Sequence, residues 1–197
     1  VYAHKKAKIA YLAHPRTAST STCAGLRRQK GFTSTTTHHM TPVEAENKLD
    51  APFRGVDFSD SWIVMSTIRN HYDLLRSEFV NTNYHERDEP RITPEVCDRL
   101  IDTSIYWRRN LPAPWSQLFY HVPFCTDLLR YERLEDDINE ILNKRGLGSV
   151  ELPSINVTTQ TDKTYKDLFT KEGRRWVKYN YGVEMNRYGY AWVEVTK

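Results

Sequence analysis

His14-Pro15-Arg16-Thr17-Ala18-Ser19-Thr20-Ser21 follows the apolar run Ile9-Ala10-Tyr11-Leu12-Ala13 and leads into Thr22-Cys23-Ala24-Gly25-Leu26-Arg27-Arg28. A buried strand that breaks into small hydroxyl residues and then opens a helix is one way to build an anion cradle. Small side chains let backbone N–H groups reach a ligand, and the helix N-terminus adds partial positive charge. Arg16 sets a full positive charge beside them. Taken alone, the same loop also fits an ordinary Ser/Thr-rich turn. A second stretch, Arg69-Asn70-His71-Tyr72-Asp73-Leu74-Leu75-Arg76-Ser77, narrows the choice.

Working outward, Lys8 to Ala13 reads as the first strand, apolar enough to be central in a sheet. Ser19 to Lys30 reads as a helix broken by Gly31, and Phe32 to Thr37 is a β-branched run suited to a second strand. Thr41-Pro42-Val43-Glu44 has the form of a capping box with Pro at the first helical position. Ser61 to Ile68 is the next strand, and Asn70 can cap a helix running to about Val80. Thr93-Pro94-Glu95 starts another helix. Leu118 to Val122 and Leu128 to Tyr131 are further strand candidates. Leu134, Ile138, Ile141 and Leu142 recur at helical spacing with Gly146 as a stop. Arg174 to Tyr188 reads as a C-terminal helix.

Strands alternating with helices predict an α/β fold, a mostly parallel central sheet flanked by helices, in one domain over residues 1–197. In such sheets ligands sit at the carboxyl ends of strands. Both candidate anion sites fall there: the loop after the first strand, and Arg69 after the third.

The 197 residues suffice for one domain with a substantial core. Lys and Arg total 28 against 25 Asp and Glu, a net charge of +3, too weak by itself to argue for nucleic acid or a membrane surface. No apolar run approaches the ~20 residues of a membrane span, and no signal-peptide pattern opens the chain. Val1 in place of an initiator Met fits a trimmed or partial chain. Cys23, Cys97 and Cys125 are too widely spaced for a metal set or a disulfide framework, which fits a reducing compartment, so a cytoplasmic location is expected. Asn156-Val157-Thr158 matches a glycosylation sequon of a kind common by chance.

The chain resembles the sulfotransferases that use 3′-phosphoadenosine 5′-phosphosulfate (PAPS), especially the carbohydrate, heparan-type branch. That branch's first loop reads roughly Pro-Lys-Thr-Gly-Gly-Thr-Ser, and here Pro15 to Ser21 stands in that place. The family's second motif, an Arg with a Ser eight residues on, is matched by Arg69 and Ser77, with Asn70, Tyr72, Asp73 and Leu75 in register. Leu128 to Leu134 looks like the family's late strand, and Asn156 to Tyr165 with the aromatic helix ending at Tyr188-Gly189-Tyr190 resembles its C-terminal end.

The resemblance implies a three-layer sandwich like that of P-loop NTPases. It also implies PAPS as co-substrate, with PAP, the desulfated donor, as product. Thr17, Ala18, Ser19, Thr20 and Ser21 would hold the 5′-phosphosulfate through backbone N–H groups and hydroxyls. Arg16 would supply the charge of the family's Lys, differently placed. Arg69 and Ser77 would grip the 3′-phosphate. His38 or His39, after the second strand, would be the base that deprotonates an acceptor hydroxyl, that of a glycan as in the family's carbohydrate branch. Spacing does not separate the two, and Glu44 is the next candidate. A sulfuryl group carries less charge than a phosphoryl, so no metal is required.

Ala18 and Ser19 replace two glycines, and His71 replaces the family's Pro. Two other readings stand beside this one. A P-loop-like nucleotide kinase would need a Walker-type Gly-Lys-Ser/Thr ending, which the first loop lacks. A catalytically silent nucleotide- or glycan-binding protein would keep the fold without turnover. Tyr131 and Glu132 read as core packing and sheet-end hydrogen bonding, and Trp176, Tyr179, Tyr181 and Tyr188 as packing rather than a sugar platform.

Overall fold

A computed structural model describes residues 1–34, 61–86, 93–99, 101, 125–155 and 164–191. The chain forms two compact units, Val1–Arg69 with Gln117–Asn156, and Asn70–Ser116 with Val157–Lys197.

The first unit is α/β. Its strands are β1 (Tyr2–His4), β2 (Ile9–Leu12), β3 (Phe32–Ser34), β4 (Ile63–Ile68) and β5 (Asp127–Arg130), in the order β3-β1-β2-β4-β5. β2 pairs parallel with β4, and β4 with β5. β1 pairs antiparallel with both β2 and β3. Among the described residues the sheet is therefore mixed, two parallel and two antiparallel pairings, where the sequence predicts a mostly parallel one. The strand at residues 9–12 is the second, not the first, because Tyr2–His4 precedes it in a tight hairpin. The turn of that hairpin is closed by a side chain: the Ala7 N–H donates to His4 Nδ1 at 3.0 Å. Lys8 then takes a left-handed φ of 54°.

Helices α1 (Ser19–Arg28) and α3 (Leu134–Lys144) belong to this unit. Ile9, Tyr11 and Ala13 on β2 pack with Met65, Leu129, Cys23, Leu26, Ile138 and Leu142 in one cluster. Alternation along β2 sends Ala10 and Leu12 to the other face, beside Ala3 and Val64, which are buried as well. A strand buried on both faces needs apolar residues at every position, so residues 9–13 read as a continuous run rather than as an alternation. α3 ends as the sequence predicts: Gly146 has φ 68°, and its N–H and that of Leu147 bond to the Asn143 and Leu142 carbonyls at 3.0 Å each.

The second unit is helical where described. It holds α2 (His71–Glu86), helical residues 94–99, the single turn α4 (Tyr165–Leu168) and α5 (Lys171–Arg187). The expected caps are present: Asn70 Oδ1 accepts from the Tyr72 N–H at 3.0 Å, and Thr93 Oγ1 from the Val96 N–H at 3.4 Å. Thr170 caps α5, accepting from the Gly173 N–H at 3.1 Å. Tyr72 stacks on Tyr165 and meets Phe169 edge-on, with Phe79 beside them. Tyr181 and Tyr188 are buried as expected, but Tyr179 is 90% exposed, which corrects its reading as packing.

The predicted helix at Thr41-Pro42-Val43-Glu44 and strand at Leu118–Val122 lie outside the described residues.

Candidate functional site

β2 delivers the chain to the loop at the carboxyl edge of the sheet. Ala13 and His14 are still buried, and Pro15 and Arg16 are half-buried. Thr17 closes the turn, its hydroxyl donating to the His14 carbonyl at 2.9 Å. His14 Nδ1 lies 2.8 Å from the Pro15 carbonyl. Arg16 and Ala18 both take left-handed backbone, with φ of 60° and 57°. For residues with a Cβ that conformation costs about 1–2 kcal/mol each relative to the right-handed one. The loop folds this way although neither residue is glycine.

Ala18 is the N-cap of α1 and offers no side-chain cap; its carbonyl accepts the Thr22 N–H at 3.0 Å and the Thr22 hydroxyl at 3.1 Å. The N–H groups of Ser19, Thr20 and Ser21 are the first-turn donors, which have no acceptor within a helix. Three amides without a side-chain cap, the positive end of a ten-residue helix and Arg16 are thus gathered at one strand end.

The hydroxyls divide. Thr17 and Ser21 are bonded within the protein: Ser21 Oγ lies 3.4 Å from the Ile155 carbonyl and 3.3 Å from its N–H. Ser19 is buried and Thr20 is exposed. The segment that meets Ser21 is held in turn by Asn139 on α3, which exchanges two hydrogen bonds with Val150 at 2.9 and 2.7 Å.

β4 lies next to β2 and ends at Ile68. Arg69, only 8% exposed, turns its Nη1 to the Arg16 carbonyl at 2.9 Å. Its guanidinium carbon sits 3.9 Å from the centre of the Tyr131 ring. Tyr131, just beyond β5, is 37% exposed, so its expected role as core packing gives way to that of a platform for Arg69. Sequence reasoning missed this contact; an Arg and a Tyr at the ends of adjacent parallel strands are its only trace. Within the sheet edge, Tyr11 and Thr67 hydroxyls lie 3.0 Å apart and Ser66 Oγ donates to the Leu12 carbonyl at 2.8 Å, fixing β2 against β4. Burial raises the Tyr11 hydroxyl pKa well above its ordinary value.

The structure therefore brings Arg16, Thr17, Ala18, Ser19, Thr20, Ser21 and Arg69 together within the first unit. Ser77 stands half-buried on α2 of the second unit. His38 and His39 lie outside the described residues. The strand before them is nonetheless placed: β3 runs the same way as β2, with Ser34 level with Tyr2 and Tyr2 with Tyr11. The neighbour of β3 is β1, so the strand before the His pair does not adjoin the strand that carries the loop. One strand separates them, about 10 Å from β2 to β3.

Cys23 on α1 is no candidate nucleophile, because burial pushes its thiol up to about 11. All three cysteines are free. Among the described residues no group of three or more His, Cys, Asp and Glu is placed to hold a metal ion. No helix among them is long and apolar enough to cross a membrane.

Comparison with protein-family models, with curated proteins and with solved structures finds no match to this chain.

Proposed function

We propose that the chain is a PAPS-dependent sulfotransferase, moving the sulfuryl group to an acceptor hydroxyl on a carbohydrate. One observation carries the reading: the first turn of α1 has no side-chain cap, and the left-handed Arg16 just before it is held through its carbonyl by Arg69 from the adjacent strand. The sequence resemblance supplies the identity of the anion. The residues present fit such a donor. Ser19, Thr20 and Ser21 offer first-turn N–H groups, and Ala18 adopts the left-handed backbone that glycine takes most cheaply.

In this reading the first-turn amides bind the phosphosulfate, and Arg16 faces the bridging oxygen on which charge develops. The acceptor oxygen bonds to sulfur as the bond from sulfur to the phosphate oxygen breaks, and PAP leaves. The acceptor proton goes to His38 or His39. Positioning and charge stabilisation supply most of the catalysis, as in phosphoryl transfer. Arg69 holds the loop through one guanidinium nitrogen and takes the 3′-phosphate with others.

A thermal-shift comparison of PAP with ATP and AMP tests the donor. At 100 times its dissociation constant a ligand adds ~2.7 kcal/mol, roughly 5–10 °C for a chain of this size. PAP is expected to exceed both others, because only PAP carries a 3′-phosphate. Equal or greater stabilisation by ATP would favour a kinase.

A further inference from the structure

At the opposite edge of the sheet, where β1 ends and β2 and β3 begin, the first unit has a cleft of about 720 Å³. Its volume is that of a small-molecule site. Lys5 and Lys6 come to it from the hairpin turn, Lys30 from the end of α1, and Arg145 from the end of α3. Among the described residues no Asp or Glu lines it, and none makes an ion pair or hydrogen bond with the side chains of these four cations.

Cations near helix C-termini have an ordinary explanation in the helix dipole, and α1 and α3 both end at this edge. Each end carries a charge of roughly −0.5. Two ends offset about one of the four positive charges, leaving roughly three facing a single cleft. The walls suit close approach. Gly31, with φ 102°, leaves the space a Cβ would take from the His4 ring, and Gly146 is also left-handed and open. Because His4 Nδ1 accepts the Ala7 N–H, the ring proton sits on Nε2, a neutral donor on the same wall.

We propose that this cleft binds a multivalent oxyanion, with sulfate or phosphate esters on a non-aromatic carrier. Lysines supply point charges that accept several ester geometries, where a fork of arginines would select one. No Phe, Tyr or Trp lines the cleft among the described residues, and the His4 ring on its wall is buried, so it offers no open stacking platform for a nucleobase. The site does not depend on the sulfotransferase reading, since it shares no residue with the loop at residues 14–21 or with Arg69.

The test is calorimetric titration at physiological salt with sucrose octasulfate and inositol hexakisphosphate, on the whole chain. Either probe should bind, and the stronger one identifies the ester. The exposed pair Lys5→Ala/Lys30→Ala should weaken binding at least tenfold. Lys171→Ala/Lys178→Ala, an equal charge change on exposed positions of α5, should leave it within twofold. Saturating PAP and Arg16→Ala should not alter it. The proposal is overturned by absence of binding for both probes, by equal losses in the two double variants, by displacement with PAP, or by a single-stranded oligonucleotide of matched charge binding as tightly.

Discussion

Arg69 Nη1 donates to the Arg16 carbonyl at 2.9 Å, so the end of β4 holds the left-handed turn that follows β2. The guanidinium that would recognise a phosphate also fixes the loop that would recognise the other end of the same ligand.

The two roles separate in binding measurements. Arg69→Ala should weaken PAP by on the order of 1.5–3 kcal/mol, the loss of a charge-assisted contact. AMP, which lacks the 3′-phosphate, should lose much less. Titration of both nucleotides checks this. Equal losses would leave Arg69 with the loop-anchoring role alone.

The left-handed Ala18 sets a second expectation. Ala18→Gly relieves a Cβ clash worth about 1–2 kcal/mol and gives part of it back as unfolded-state entropy. The variant should be more stable by about 0.5–1 kcal/mol, read as a higher urea midpoint at unchanged slope. Ala18→Val should move the midpoint the other way, since a branched side chain fits this backbone worse. A lower midpoint for Ala18→Gly would contradict the loop geometry.

These particulars mark where the sequence was legible. The residue pattern at 9–13 predicts a central strand, and Leu134, Ile138, Ile141 and Leu142 predict α3, because burial on a fixed period leaves a direct trace. The three-residue β1 leaves none. Tyr2-Ala3-His4 is too short for a period, and its hairpin is closed by the His4 ring and a left-handed Lys8 rather than by an Asn-Gly or Asp-Gly signal. The reversal of β1 makes the sheet mixed and separates β3 from β2. At the site, residue types located the loop and Arg69. The commitment of the Thr17 and Ser21 hydroxyls to the His14 and Ile155 backbone depends on tertiary neighbours.

In the second unit, His71 Nε2 lies 3.1 Å from Glu184 Oε2, and the ring stacks on Tyr181 with centroids 4.5 Å apart. His71 is fully buried and Glu184 is 5% exposed. Glu184→Ala leaves a buried donor without this acceptor and should cost about 1–3 kcal/mol of stability. Glu184→Gln keeps an oxygen in reach and should cost less. Denaturation of both variants checks the order; equal stability of Glu184→Ala and the parent would show the pair to be inert. Removing Glu140 from its fully exposed pair with Lys144 should produce no measurable change.

Transfer itself is the most direct measurement: PAPS labelled with radioactive sulfur, a panel of oligosaccharide acceptors, and the parent chain beside Arg16→Ala, His38→Ala and His39→Ala. Label should move to an oligosaccharide hydroxyl with the parent chain. Arg16→Ala should lose most transfer while still binding PAP, because its contact strengthens as charge develops. One of the two His variants should slow transfer by roughly 10²–10⁴ at little change in PAP affinity. Absence of transfer from the parent chain to every acceptor, together with PAP binding no tighter than ATP, would contradict the assignment.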